Sequence, residues 1–226
     1  RGTRMSPSRK TAVASAGLAA ALILLAGCSA LPQPPAQPAR YDFGLAPLST
    51  PAQSATSAAP QARTPLALAD VEAPALSDGS TAMFYRLAYA NGQELRPYQL
   101  ARWSQPPALL LQQRLRSQLG LQRPVLASSE SVAQPRLQGA VPTLLRVDIE
   151  EFSQVFDAPG SSAGVVRLRA TLVEQSGAVD RLLGQKVFEV RSPAASGDAA
   201  GGAQALAKAT DAAIAQIDAW LGQQGH

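Results

Sequence analysis

Three alternating runs in the second half of the chain narrow the fold more than any other feature. From Leu144 to Val155 the apolar residues Leu145, Val147 and Ile149 recur at every second position, and from Val165 to Glu174 so do Val166, Leu168, Ala170 and Leu172. From Leu182 to Arg191, Lys186, Phe188 and Val190 are set against Val187 and Glu189. Successive side chains of a strand point to opposite faces, so runs of this kind bury one face and leave the other in water. The intervening positions hold Arg146, Asp148, Glu150, Arg167 and Arg169, and Pro159-Gly160 and Ser176-Gly177 punctuate the runs. The prediction is an antiparallel sheet, wet on one side, with tight reversals between its long strands.

Such a sheet needs a cover over its apolar face. Two helical patterns supply it. In the first, Ser104 is the expected cap, Pro106 and Pro107 fall in the first turn, where a missing N–H costs nothing, and Gly120 closes the helix that starts at Ala108. Its stripe is Ala108, Leu111, Leu115 and Leu119. The second follows an Ala/Gly-rich loop from Ala194 to Gly202 and carries Leu206, Thr210, Ala213, Ile217 and Trp220 at steps of three or four, ending near Leu221-Gly222. Shorter strand candidates are Tyr41–Leu45, Leu66–Val71, Ala82–Tyr89 and Pro124–Ser128. Glu94 to Arg102 is the expected hairpin partner of the third across Asn91-Gly92, with Pro97 marking an edge or a bulge. The expected fold class is α+β: a largely antiparallel sheet with two main helices packed on one face.

The first forty residues follow different rules. Arg1, Arg4, Arg9 and Lys10 precede an apolar stretch from about Ala12 to Ala26, followed by Leu25-Ala26-Gly27-Cys28. A basic segment, a short apolar segment and small residues at a cleavage point make a secretory signal, too short and Ala-rich for a membrane span. Met5 is the expected start, unless an extension precedes it. Leu-Ala-Gly-Cys resembles the lipobox of bacterial lipoproteins, which implies cleavage before Cys28 and a diacylglycerol on its thiol. Two or more acyl chains anchor stably to a leaflet, and Ser29 in the place of a retention Asp favours the outer membrane. The expected organisation is therefore 1–27 signal peptide, 28–40 lipidated Cys and Pro-rich tether, and 41–222 folded domain. Residues 46–64 are expected to be a disordered loop and 223–226 a tail.

Reading the signal first changes the charge. The chain holds 20 Lys+Arg and 16 Asp+Glu, but four of the basic residues and none of the acidic ones lie in residues 1–27. The remaining 16 of each sign make a neutral mature chain, which argues against a nucleic-acid partner. Cys28 is the single cysteine, so no disulfide is expected.

Catalytic constellations are scarce. The only histidine is His226, which removes Ser-His and Cys-His nucleophile pairs and histidine metal sites together. Gly201-Gly202 lacks the Lys-Ser/Thr of a phosphate loop. Asp148, Glu150, Glu151 and Asp157 lie on or after a strand whose polar face reads as solvated. The expectation is a protein that is not an enzyme, with no metal and no cofactor beyond the lipid on Cys28. Tyr85, Tyr89 and Tyr98 fall close together in the hairpin, and Tyr85, Tyr98, Trp103, Pro106 and Pro107 are the candidate partner-docking residues. Ordinary cross-strand pairing and packing of the helix start compete with that role.

The segment Phe84-Tyr85-Arg86, then Tyr98 through Arg102-Trp103-Ser104-Gln105-Pro106-Pro107, resembles the ABC-type transport auxiliary lipoprotein family, the PqiC/YmbA-like proteins. Ser104 stands where that pattern has Ala. The lipobox, Tyr41, Glu151-Phe152 and the terminal helix ending in Trp220 fall in the same order. The resemblance implies an outer-membrane-anchored periplasmic subunit of an intermembrane lipid transport system, partnered by an MCE-domain protein and an ABC permease and ATPase. Residues 46–64 look like an insertion relative to it. Rival expectations are a structural or regulatory envelope lipoprotein acting on cell-wall synthases, and a lipid-anchored hydrolase, which the missing histidine disfavours. An edge strand near Pro97 leaves dimer or ring formation open.

Overall fold

The long alternating runs do form one antiparallel meander. In the computed structural model, the described residues are 2, 36–45, 63–76, 79–127, 141–175 and 179–226. Two units separate, Arg1–Gln37 and Pro38–His226, and every element below belongs to the second. Cys28, the signal segment, residues 46–62 of the expected loop and the turn at Ser176-Gly177 lie outside the described residues.

The elements are β1 (Ala39–Tyr41), β2 (Leu66–Leu68), β3 (Ala82–Leu87), α1 (Ala88–Asn91), β4 (Gly92–Trp103), α2 (Pro107–Leu119), β5 (Val125–Ala127), β6 (Thr143–Ala158), β7 (Ser161–Gln175), β8 (Asp180–Pro193) and α3 (Ala199–Gln223). Strand β6 is the hub of an eight-stranded sheet. Along one edge it pairs antiparallel with β7, from Leu144↔Val173 to Ala158↔Ser161, and β8 follows β7 antiparallel. Its other edge is shared: Thr143–Leu145 take β2 in parallel, and Gln154–Phe156 take β3 in parallel. Beyond β3 lies β4, antiparallel, and then β1, parallel at Ala39↔Ala101; beyond β2 lies β5, also parallel. The α+β class holds, and its long pairings are antiparallel, but the sheet is mixed. Short strands that return after a helix or a long connection enter in parallel, because only hairpins force the antiparallel sense.

The buried face follows the alternation. Leu145, Val147 and Ile149 of β6 and Val166, Leu168, Ala170 and Leu172 of β7 are all fully buried. Between Ile149 and Glu151 the register shifts by one residue, so the positions on the apolar face of β6 pass from odd to even, Phe152, Gln154 and Phe156, and beyond the bulge Ser153 and Val155 on the opposite face are buried as well. That bulge lets consecutive carboxylates serve the polar face: Glu150 accepts from Arg169 at 2.7 Å, and Glu151 pairs with Arg86 at 3.1 Å. Over the apolar face, α3 buries Leu206, Thr210, Ala213, Ile217 and Trp220 as its spacing predicts, and α2 buries Leu111, Leu115 and Leu119. The two helices are joined by Arg114, whose Nε and Nη2 donate to Asp211 at 2.6 and 2.9 Å.

Local expectations shift in four places. Ser104 does not cap α2; the cap position is Pro106, without a side-chain bond, and its carbonyl accepts from Leu109 and Leu110. The first strand is Ala39–Tyr41 rather than Tyr41–Leu45, because Gly44 at φ +68° turns the chain and its N–H bonds Asp42 Oδ1. Between β3 and β4 the one-turn helix α1 replaces an Asn91-Gly92 turn, with Gly92 in the right-handed region. Ala199–Gly202 form the first turn of α3 rather than a loop. Asp198 caps it by accepting from Gly201 N at 2.8 Å, and a Cβ on Gly202 would overlap the Gln154 side chain.

Candidate docking site

The five candidate docking residues fall into three separate environments. Trp103 ends β4 and is only 2% exposed. Its indole meets Phe43 edge-on at 5.7 Å and Phe152 at 5.5 Å, and Phe43 and Phe152 meet at 5.9 Å. Three aromatics from β6, β4 and the segment after β1 thus interlock. Trp103 is a core residue, and a partner reaching it would have to displace Phe43 first.

Tyr85 and Tyr98 do come together. The cause is the irregular pairing of β3 with β4: Ala82 opposes Arg102, whereas Phe84 opposes Pro97. The extra residues of β4 bulge out after Pro97, as a proline without a ladder N–H favours. This swings Tyr98 over Tyr85, with ring centroids 4.7 Å apart, and Phe156 closes the cluster at 6.0 Å from Tyr85. Tyr98 O–H donates to Gln154 Oε1 at 2.7 Å, while Gln154 Nε2 donates to Ser162 Oγ at 2.8 Å. Burial pushes the Tyr98 phenol well above its usual range. Both rings are half-buried, whereas Tyr89, expected beside them, lies exposed on α1.

Pro106 and Pro107 form a wall of a cleft of about 840 Å³ between residues 71–76 with 79–80 and the start of α2. Val71, Pro74, Leu76 and Leu109 are among its other apolar lining residues, Glu72 also lines it, and Leu109 is 49% exposed. Gln112 holds the far wall, accepting from Val71 N at 3.2 Å and donating to Asp70 at 2.9 Å. Beside it Glu72 bridges Asp148. Desolvation, then the Glu72 charge, raises the Asp148 carboxyl above its ordinary value against the pull of Arg169.

Sequence reasoning missed Phe43 and Gln154. Phe43 stood within a strand candidate, where only its neighbour Gly44 hinted at a turned-in plug. Gln154 carries no sequence signal of burial, since the bulge at Glu150 decides which face it takes. The remaining carboxylates on the wet side are occupied: Asp157 pairs with Arg191 at 2.6 Å and Glu189 with Arg167 at 2.5 Å.

Comparison with known proteins fits this architecture. The sequence profile described as ABC-type transport auxiliary lipoprotein component matches residues 47–218. A solved protein of Xanthomonas campestris, XCC0632 of family DUF330, is similar at 19% identity and TM-score 0.58, covering 86% of this chain and 91% of its own. A second solved structure, titled only as an uncharacterised protein, is similar at 17% identity and TM-score 0.55, covering 82% and 99%. Both establish likeness of fold. No curated protein matches the sequence.

Proposed function

The chain belongs to the ABC-type transport auxiliary lipoprotein family, and from that premise we propose a non-enzymatic subunit of an MCE-type lipid transport system, held at the outer membrane. The family match over 47–218 carries the reading. Cys28 bears the lipid, the Pro-rich residues after it set the spacing, and the folded unit docks the periplasmic MCE assembly and its ABC permease and ATPase. Among the described residues no helix is long and apolar enough to cross a membrane, so the reading assigns membrane attachment to the acyl chains. The use of the acidic side chains supports a role without catalysis. Glu150, Glu151 and Asp157 each hold an arginine, so these three carboxylates act as ion-pair partners rather than as a free acid and base.

Purifying the acylated chain from its native membranes tests this. The expected result is a diacylglyceryl Cys28 at the mature N-terminus, outer-membrane fractionation, and co-purification of an MCE subunit with the permease and ATPase. Recovery of cell-wall synthases without any MCE subunit would contradict it and favour the regulatory envelope role.

A further inference from the structure

We propose that the cleft at the start of α2 receives a basic amphipathic helix of the partner protein, with an apolar side chain entering beside Leu109 and a lysine or arginine reaching Glu72. The inference deepens the docking role proposed above and rests on it. Two carboxylates of the fold lack a counter-charge. Among the described residues every other Asp or Glu side chain holds an arginine, an amide or a hydroxyl, whereas Glu72 and Asp148 hold none of these. The backbone keeps the two together. Glu72 N donates to Val147 O at 3.2 Å and Glu72 O accepts from Ile149 N at 2.8 Å, which fixes Glu72 beside Asp148 as a bridge. Like charges held opposite each other destabilise a sheet, and the cations that act on Asp148, Arg169 and Arg146, are engaged by Glu150 and Asp180. A cation arriving on a partner turns that repulsion into attraction.

Glu72 also lines the cleft of about 840 Å³, in which the half-exposed Leu109 offers an apolar surface. Three prolines line it as well, Pro74, Pro106 and Pro107, and a proline has no N–H to give to an incoming strand. A helix needs none, because its backbone bonds are internal, and it lays its apolar side into a groove of this kind. The two walls differ in charge. The first turn of α2 carries no acidic residue, so the partial positive charge of the helix start leaves that wall unsuited to a cation. The basic side chain of the incoming helix therefore faces Glu72 on the opposite wall.

Photo-crosslinking in intact cells from a probe at Leu109 of the full chain, with the crosslinked peptide sequenced by mass spectrometry, tests the assignment. The expected peptide belongs to another protein and has a lysine or arginine about three or four residues from the crosslinked apolar position. Glu72→Gln should lower the yield about two- to fivefold. Glu72→Lys should abolish it, with recovery when the basic residue of the partner is exchanged for Glu. Both variants should melt at or above the unsubstituted chain, because each relieves the repulsion between Glu72 and Asp148, so the loss is one of docking and not of fold. A crosslink to a second copy or to the chain's own residues, a peptide without a basic residue, or a yield indifferent to Glu72→Lys would overturn the proposal. A partner outside any MCE system, caught through such a helix and dependent on Glu72, would contradict the transport reading alone. An MCE subunit whose crosslink ignores Glu72 would contradict the cleft assignment alone.

Discussion

Trp103 is worth more to this protein as a packing residue than its place in a recognisable motif suggests. Replacing it by alanine removes the centre of the Phe43–Trp103–Phe152 cluster, and a truncation of this kind in a well-packed core costs about 3–5 kcal/mol. Denaturant unfolding of the full chain should register that loss. Asp148 behaves in the opposite sense. Its folded carboxyl titrates above the ordinary value, through desolvation and the neighbouring Glu72, so its contribution to stability is complete below the unfolded value and disappears as pH rises through the folded one. Asp148→Asn should therefore stabilise the fold at neutral pH by the few tenths to about 1 kcal/mol of a like-charge cross-strand pair, read as a rise in melting temperature. The gap should close as both proteins are taken to acid pH; an equal gap at all pH values would contradict the assignment. Trp103 was legible as a landmark and as a residue that packs the helix start against the sheet; its partner Phe43, sixty residues earlier, was not.

At the scale of elements, alternation and helical stripes were read correctly wherever one element buries one face: β6 to β8, α2 and α3 all fall within a few residues of their predicted bounds. What escaped is set by pairs of elements. The bulge at Glu150 lets Glu150 meet Arg169 and Glu151 meet Arg86, partners on two different strands. The parallel entry of β1, β2 and β5 depends on the chain's return path. Gly164 is small because α3 crosses there, with Leu206 N 2.5 Å from where a Cβ would sit. The join between the end of α2 and α3 is similarly non-local. Asp218 of α3 accepts from Arg123 Nη2 at 2.5 Å and from Arg63 at 2.8 Å, while Nε and Nη1 of the buried Arg123 have no hydrogen-bond partner among the described residues. Removing one side of a buried ion pair is far more costly than replacing both sides with apolar groups. Asp218→Ala should cost about 3–5 kcal/mol, whereas the double replacement Arg123→Met with Asp218→Leu should be near neutral in the same unfolding assay.

At the scale of the molecule, the two candidate surfaces that the sequence suggested remain accessible without Trp103. One is the Tyr85–Tyr98 cluster on the β3–β4 hairpin; the other is the Pro106–Leu109 cleft at the start of α2. Sequence order placed them a few residues apart, and the burial of Trp103 between them divides them. On the proposed anchor at Cys28, a domain whose Glu150, Glu151 and Asp157 are paired with arginines would serve to hold a partner near a membrane. The direct test is photo-crosslinking in intact cells from a probe at Leu109 and another at Tyr98, in the lipidated chain at native abundance. The account predicts crosslinks to an MCE-domain subunit from at least one of the two, lost when Cys28→Ser removes the anchor. A correctly acylated protein that crosslinks to no component of such a transporter from either position would contradict it.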